Sequence, residues 1–183
     1  MVTNTNCDGC GRTNTNKVSY TKKRYCNKCF LKLVEKRVRK DLRINKKITK
    51  KTIELLNDDS KEFRVAKQLL KNIFGSHKTI KEVKKLTKET LTPTNLDREI
   101  KLQLESYLNN KKYQKKTLCI LDNVLEEEII TFCRIKKLAI GKKEEKNKLI
   151  ENIEKKYHGT KFALSKSFEK ITENLPKKDQ KNI

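Results

Sequence analysis

The sequence predicts a mixed α/β protein in three parts: a four-cysteine knuckle with a long basic helix, a small helix-rich α/β body, and a charged tail. We place these parts at residues 1–50, 51–175 and 176–183. Three observations predict this class. Two Cys-x-x-Cys pairs lie near the N-terminus, a basic run with apolar residues at four-residue spacing follows them, and a strand–turn–helix order occurs twice further along the chain.

The four N-terminal cysteines have the spacing of a metal site. Cys7, Cys10, Cys26 and Cys29 form the pattern C-x2-C-x15-C-x2-C, which is typical of a tetrahedral zinc site in a reduced compartment. Two disulfides or a redox pair are the alternatives. Because four thiolates leave no open position for water, we expect one structural Zn²⁺. Gly9 and Gly11 are expected to supply unusual backbone angles, and "KVSY" and "RYC" to form a small ribbon.

A basic helix is predicted from about Asn27 to Ile44. Its apolar stripe is Phe30, Val34, Val38 and Leu42. A charge run is most often a solvated face, but only Glu35 and Asp41 oppose this one, so phosphate contact is favoured. The candidate RNA-binding residues are Lys22, Lys23, Arg24, Lys32, Lys36, Arg37, Arg39, Lys40, Arg43, Lys46, Lys47, Lys50 and Lys51.

The body should contain two strands, at 52–56 and 117–121, each followed by a helix. "NDDS" at 57–60 breaks the first strand, with Asp59 as the expected N-cap of the next helix. A capping box of Thr79 and Glu82 predicts a helix through about residue 90, and "TPTN" at 92–95 reads as a loop. The predicted helices are 60–74, 79–90, 96–108, one with Leu125, Ile129, Phe132 and Cys133 on a single face, 144–157 and 161–174.

The net charge indicates a polyanionic partner. The 183 residues include 46 Lys and Arg against 23 acids, a net charge of +23, and such a chain repels itself unless a polyanion neutralises it. Nucleic acid is the first candidate. An anionic membrane is the second, but no apolar run is long enough to span a bilayer and "MVTNTN" does not resemble a signal peptide, so we expect a cytoplasmic protein without a membrane partner.

"CDGC" followed by "YCNKCFLKLVEKRVRKDLR" resembles the zinc knuckle and basic helix at the front of the cytoplasmic tRNA 2-thiolation proteins, which modify wobble uridine. The specific match covers about 50 residues, and the rest matches in order and pattern only. The resemblance implies that the body is a degenerate ATP-pyrophosphatase (PP-loop-like) domain of α/β type.

The sequence departs from the catalytic members of that family at the nucleotide loop. Those members carry Ser-Gly-Gly-x-Asp-Ser, whereas this chain has "NDDS", and none of its five glycines follows a predicted strand. Two aspartates would repel a triphosphate, so we expect no enzyme activity, no small-molecule substrate, and a likeness to the non-catalytic second subunit. Cys119 and Cys133 are expected to pack in the core, and His77 and His158 to have surface or capping roles.

Two hypotheses of function follow. The first is a ribosome-bound protein that contacts rRNA and ribosomal proteins at or near a tRNA site, similar to a ribosome-dormancy factor of microsporidia. The alternative is a tRNA-binding scaffold subunit that partners a thiolase subunit. DNA binding ranks last, because the helix lacks base-reading residues at zinc-finger spacing.

Overall fold

The computed structural model describes residues 6–13, 15–111, 113, 118–141 and 147–174. The predicted charged tail at 176–183 and the first residues of the predicted helix at 144–157 lie outside these ranges. The elements in chain order are β1 Thr15–Lys17, β2 Arg24–Cys26, α1 Asn27–Ile44, β3 Thr52–Leu56, α2 Lys61–Phe74, β4 Thr79–Val83, β5 Leu91–Asn95, α3 Leu96–Leu108, β6 Leu118–Leu121, α4 Glu126–Lys136, α5 Lys148–Lys156 and α6 Thr160–Asn174.

The N-terminal unit is a two-stranded ribbon joined directly to α1. β1 and β2 pair antiparallel, with Thr15 opposite Cys26. The predicted helix 27–44 is confirmed, and its stripe of Phe30, Val34, Val38 and Leu42 is buried. Each of these side chains contributes roughly 1.5–3 kcal/mol on burial, so α1 is held by its apolar stripe and leaves its opposite side to solvent.

The body is built on a four-stranded sheet in the order β4-β3-β5-β6, with every neighbouring pair parallel. The chain passes from β3 through α2 to β4 on one side, and then returns to β5 on the other side of β3. Such a reversal opens a crevice at the carboxyl ends of β3 and β5, where α/β proteins bind ligands. The predicted α/β class with a small parallel sheet is confirmed.

Two elements differ from the sequence prediction. Residues 79–83 form the edge strand β4 rather than a helix, because Thr79, Ile80 and Val83 are β-branched and the charged Lys81 and Glu82 suit an exposed edge. Residues 92–95 belong to β5 rather than a loop. The pairing of β5 with β6 shifts register between Thr92 and Asn95, and this irregularity accommodates Pro93, which has no N–H to donate.

Two apolar clusters hold the elements together. The main cluster joins α1, the central strands, α2 and α4. A smaller one joins α3, α4 and α5 through Leu96, Ile100, Leu125 and Ile150. Among the residues that the structure describes, no helix is both long enough and apolar enough to cross a bilayer.

Candidate metal centre and RNA-binding face

The four predicted ligand cysteines converge on one point. Their Sγ atoms all lie within 4.8 Å of one another, and the Sγ atoms of Cys10 and Cys26 are 3.6 Å apart. None of the six cysteines is in a disulfide. The first pair is held in a tight turn in which Gly11 N–H donates to the Cys7 carbonyl at 2.8 Å, and Asp8 N–H ties it to β2 through the Arg24 carbonyl at 2.9 Å. The second pair is presented by the end of β2 and the first turn of α1.

The sulfur spacing fits a single metal ion. In a tetrahedral site with metal–sulfur bonds of about 2.3 Å, neighbouring sulfurs lie roughly 3.8 Å apart. A four-iron cluster places iron and sulfide between its thiolates and needs a wider arrangement. The site can therefore bind a metal, and its dimensions suit one ion better than a cluster.

The pKa values of these cysteines show how strongly the sulfurs influence one another. Burial opposes ionisation of Cys7, but hydrogen bonds from the backbone of Cys26 and Gly9 outweigh it and lower the pKa of Cys7 to about 6. Hydrogen bonding with the side chains of Cys10 and Cys26 raises the pKa of Cys29 to about 12. A cation bound among the four sulfurs would favour their thiolate forms and draw the remaining protons off.

The two knuckle glycines have different roles. Gly11 has φ +73°, as expected for a left-handed position. Gly9 is needed for space instead, because a Cβ there would lie 3.2 Å from the Cys29 Sγ. The sequence prediction of an unusual backbone angle therefore holds for Gly11 and not for Gly9.

The solvent side of α1 is strongly basic. Seen along the helix, the exposed cations lie opposite the buried stripe. We call this set the basic face; it consists of Lys28, Lys32, Lys36, Arg39, Lys40 and Arg43. Lys28 was missed by the sequence analysis, although its four-residue spacing from Lys32 is the signal that would have found it. Arg39 pairs with Glu35 at 2.8 Å but stays half exposed.

Arg37, a candidate RNA contact, is engaged inside the protein. Its guanidinium donates to Glu128 Oε1 at 2.6 Å and to the Tyr20 hydroxyl at 3.1 Å. It also lies over the rings of Tyr20 and Phe162 at 5.3 and 5.6 Å. Arg37 therefore joins the knuckle loop, α1, α4 and α6. Its side chain is not available to bind RNA.

Lys47 is engaged in the same way. Its Nζ donates to Asp41 at 2.6 Å, to Asp122 at 2.8 Å and to the Cys119 carbonyl at 2.9 Å, and only 7% of the side chain is exposed. This lysine bridges Asp41 of α1 and Asp122, which follows β6, so it too is unavailable to phosphate.

The remaining candidates surround the basic face. Arg24 is half-buried, and its Nε donates to Thr15 at 3.2 Å. Lys50 forms an exposed ion pair with Glu89. Exposed side chains are also found at Lys22, Lys23, Lys46 and Lys51.

The loop at the carboxyl end of β3 uses its own side chains to satisfy its backbone. Asn57 Oδ1 accepts from Asp59 N–H at 3.0 Å, and Asp58 Oδ1 accepts from Ser60 N–H at 3.1 Å. Ser60 Oγ accepts from Phe63 N–H at 3.0 Å, so Ser60, not Asp59 as the sequence suggested, is the N-cap of α2. Asp59 instead adopts φ +57°. Three N–H groups at this loop and the start of α2 are therefore already bonded to side chains of the loop.

A buried ionic network lies beside this loop and joins the first residues of α2 and α4 to the end of β5. Lys61, with 3% of its side chain exposed, lies 3.1 Å from Glu62 and 3.2 Å from Glu126. Glu62 in turn accepts from Asn95 Nδ2 at 3.0 Å, at the end of β5. Burial alone would lower the pKa of Lys61, but its hydrogen bonds with Glu62 and Glu126 raise that pKa above the ordinary value. The sequence does not predict this network, because Asn95 and Glu126 lie far from Lys61 in the chain.

Other reactive side chains lie away from both sites. Cys119 and Cys133 are buried in the core, as expected, and burial raises the pKa of Cys133, which makes its thiol unreactive. His77 and His158 are exposed.

The chain is similar to known proteins in structure and not in sequence. No protein-family model matches the sequence, and a search of curated proteins found no match. Among solved structures, the chain is similar to the U34-tRNA thiolase NcsA from Methanococcus maripaludis, solved with its [4Fe-4S] cluster. The TM-score is 0.76 at 15% identity, and the match covers 98% of this chain and 91% of that chain.

At this identity the likeness establishes the fold, and the predicted α/β body behind a four-cysteine knuckle is confirmed. The solved structure is a tRNA thiolase, which agrees with the resemblance drawn from the N-terminal residues. The non-catalytic assignment, the dormancy-factor hypothesis and the division into parts at residues 50 and 175 stay predictions.

Proposed function

We propose that this chain is a non-catalytic RNA-binding protein that uses the fold of a tRNA thiolase to hold tRNA against the basic face of α1. The observation that carries the proposal is the pairing of that fold with a basic face anchored at one end by a four-cysteine centre. The basic face would bind tRNA phosphates, and α1 would keep its position because its buried stripe and the knuckle fix both its orientation and its start.

The non-catalytic part of the proposal rests on the β3–α2 loop. Three N–H groups there are bonded to the side chains of Asn57, Asp58 and Ser60, and the Lys61 network lies next to them. A nucleotide phosphate would have to displace these hydrogen bonds, and the negative charges of Asp58 and Asp59 would repel it. MgATP should therefore give no binding heat in calorimetry; release of pyrophosphate on addition of ATP and tRNA would overturn this part.

We assign one Zn²⁺ to the four cysteines. The sulfur spacing supports a single ion, and a closed shell of four thiolates gives that ion a structural role. X-ray absorption of the purified protein should show four sulfur neighbours at about 2.3 Å. An iron–iron scattering distance would show a cluster instead.

The RNA-binding prediction is tested by charge reversal on the basic face. The variant K36E/K40E/R43E should lose tRNA affinity by ten-fold or more, because each change removes a phosphate contact and adds a repulsion. Fluorescence anisotropy with a tRNA transcript at several salt concentrations measures this loss and should show a smaller salt slope. The matched control, K101E/K166E/K170E, has the same charge change on exposed helical positions of α3 and α6 and should lose much less affinity.

The ribosome-bound alternative uses the same face and stays a prediction. Cations on α1 would then contact rRNA phosphates, and the body would lie near a tRNA site. A sucrose gradient separates the two hypotheses. Migration with intact ribosomes at moderate salt favours the ribosome-bound protein, whereas a position near the top together with tRNA or a thiolase partner favours the scaffold subunit.

Equal tRNA binding by the two charge variants would contradict a role for the basic face in tRNA binding.

A further inference from the structure

A cavity of about 230 Å³ opens at the amino ends of the strands, the end of the sheet opposite the Lys61 network. The first residues of β5 and β6, Leu91 and Leu118, line it together with Ile53 of β3. The segment 46–50 between α1 and β3 forms a wall, to which Ile48 adds a further apolar side chain. These four apolar side chains form one part of the lining, and the other lining residues are polar or charged. The cavity lies beyond the C-terminal end of the basic face.

Cations stand around the mouth of this cavity. Lys46 and Lys50 line it and are exposed, and Lys51 follows them in the chain. Lys47 contributes to the lining, but its Nζ is bonded to Asp41 and Asp122. The positive charge is thus at the rim, and it continues the charge of Arg43 at the end of α1.

The lining also includes carboxylates and hydroxyls. Glu54 and Glu89 provide carboxylates, and Thr49 and Thr52 provide hydroxyls. Glu54 lies 3.5 Å from the hydroxyls of Thr87 and Thr90, and Glu89 forms the exposed pair with Lys50. Carboxylates inside the cavity disfavour a phosphate there, whereas they can accept hydrogen bonds from an amino group.

We propose that this cavity receives one unstacked nucleobase of the bound RNA, while Lys46, Lys50 and Lys51 hold the adjoining phosphates. The proposal rests on the proposed RNA-binding function. A volume below the roughly 300–1,000 Å³ of pockets for drug-sized ligands suits a single ring system. The apolar side chains can pack against the faces of that ring, and the polar groups of the lining can bond its edge, as edges of splayed RNA bases are bonded in proteins. The carboxylates favour bases with an exocyclic amino group, such as cytosine or adenine, over uracil.

The test uses a hairpin RNA with one bulged nucleotide and the variant Thr52→Phe. Thr52 is exposed on the first residue of β3 and lines the cavity, so a ring there obstructs the mouth without disturbing the core. Thr79→Phe is the matched control, because Thr79 is the exposed partner of Thr52 across the β3–β4 pair and does not line the cavity. Thermal melting of both variants verifies that the fold is retained.

With bulged 2-aminopurine, the wild-type protein should shield the base from acrylamide quenching, and an abasic bulge should bind about five-fold more weakly or worse. Thr52→Phe should lose the shielding and bind both RNAs equally, with an unchanged salt slope; Thr79→Phe should behave as wild type. Bulged cytidine should bind more tightly than bulged uridine. If wild-type protein binds tRNA but shows neither shielding nor an abasic penalty, the cavity proposal fails alone; if it binds no RNA, the proposed function fails with it.

Discussion

Arg37 illustrates how a single side chain can carry a different role from its neighbours in a charge run. In sequence it is one cation among many, but it lies beside the buried stripe of α1, three residues after Val34. Its ion pair with Glu128 and its contacts with Tyr20 and Phe162, whose rings meet edge-to-face at 4.9 Å, make it a junction of the knuckle with the helices. The position of a cation beside the apolar stripe, rather than opposite it, is the sequence signal that distinguishes an internal ion pair from a phosphate contact.

Replacing Arg37 with Met should lower the free energy of unfolding by about 2–3 kcal/mol, because Glu128, 3% exposed, would be left buried without its partner. Urea denaturation measures this change. Lys36→Met, one residue away and exposed, is the control and should change stability by less than about 0.5 kcal/mol. The double variant R37M/E128Q should recover part of the loss.

The loss of unfolding free energy in Arg37→Met should change with pH in a defined direction. Burial raises the pKa of Glu128 above its ordinary value even with Arg37 present, so the folded state holds this proton more tightly than the unfolded state does. Stability from this group therefore increases as pH falls toward the unfolded value of about 4.3. The deficit of Arg37→Met relative to wild type should shrink between pH 7 and pH 5; a deficit that grows on acidification would contradict the assignment.

Helices and strands could be predicted from the sequence where a buried pattern was strong. The apolar stripe of α1 predicted both ends of that helix, and the apolar runs of the body predicted β3 and β6. β4 was missed because an edge strand is half solvent-exposed and its charged residues imitate a capping box. β5 was missed because Pro93 resembles a loop signal. The clustering of the four cysteines followed from spacing alone, whereas the Lys61 network and the cavity depend on which strands become neighbours.

Metal removal should loosen the knuckle first. A strong chelator should abolish amide-exchange protection at Cys7, Asp8 and Gly11, whose N–H groups are bonded within or next to the cysteine turns. The second half of α1 should retain protection, because Val38 and Leu42 pack in the main core. Mass spectrometry of hydrogen exchange measures both.

Two cysteine variants provide the control for that experiment. Cys10→Ser changes an exposed ligand and should reduce the bound metal below one ion per chain, whereas Cys133→Ser lies in the core, outside the cluster, and should keep its metal. Knuckle protection that is unaffected by chelator would contradict a structural metal.

Charge organises the molecule as a whole. Four acidic side chains, Glu126, Glu128, Asp41 and Asp122, compensate buried or half-buried cations. The excess of positive charge is thereby left on the surface, above all along α1 and the segment after it. The buried cations are thus paired with carboxylates, and the repulsion is confined to surface cations, where a polyanion can neutralise it.

This arrangement predicts that salt stabilises the protein. Repulsion among surface cations reaches about 30 Å at 0.01 M salt and about 8 Å at 0.15 M, whereas the buried pairs are screened little. The urea midpoint should therefore rise over this range, and tRNA at low salt should raise it further by binding only the folded state. Each triple charge reversal lowers the net charge from +23 by six, to +17.

Both variants should consequently show the same reduced dependence of stability on salt. Only K36E/K40E/R43E should also lose the additional stabilisation by tRNA, because only it changes the surface that the RNA contacts. Measurement of the urea midpoint for the three proteins, with and without tRNA, separates global charge from local recognition. A midpoint that falls with added salt would show that attractive surface pairs outweigh the net repulsion, and the basic face would then lose its electrostatic reason for a polyanionic partner.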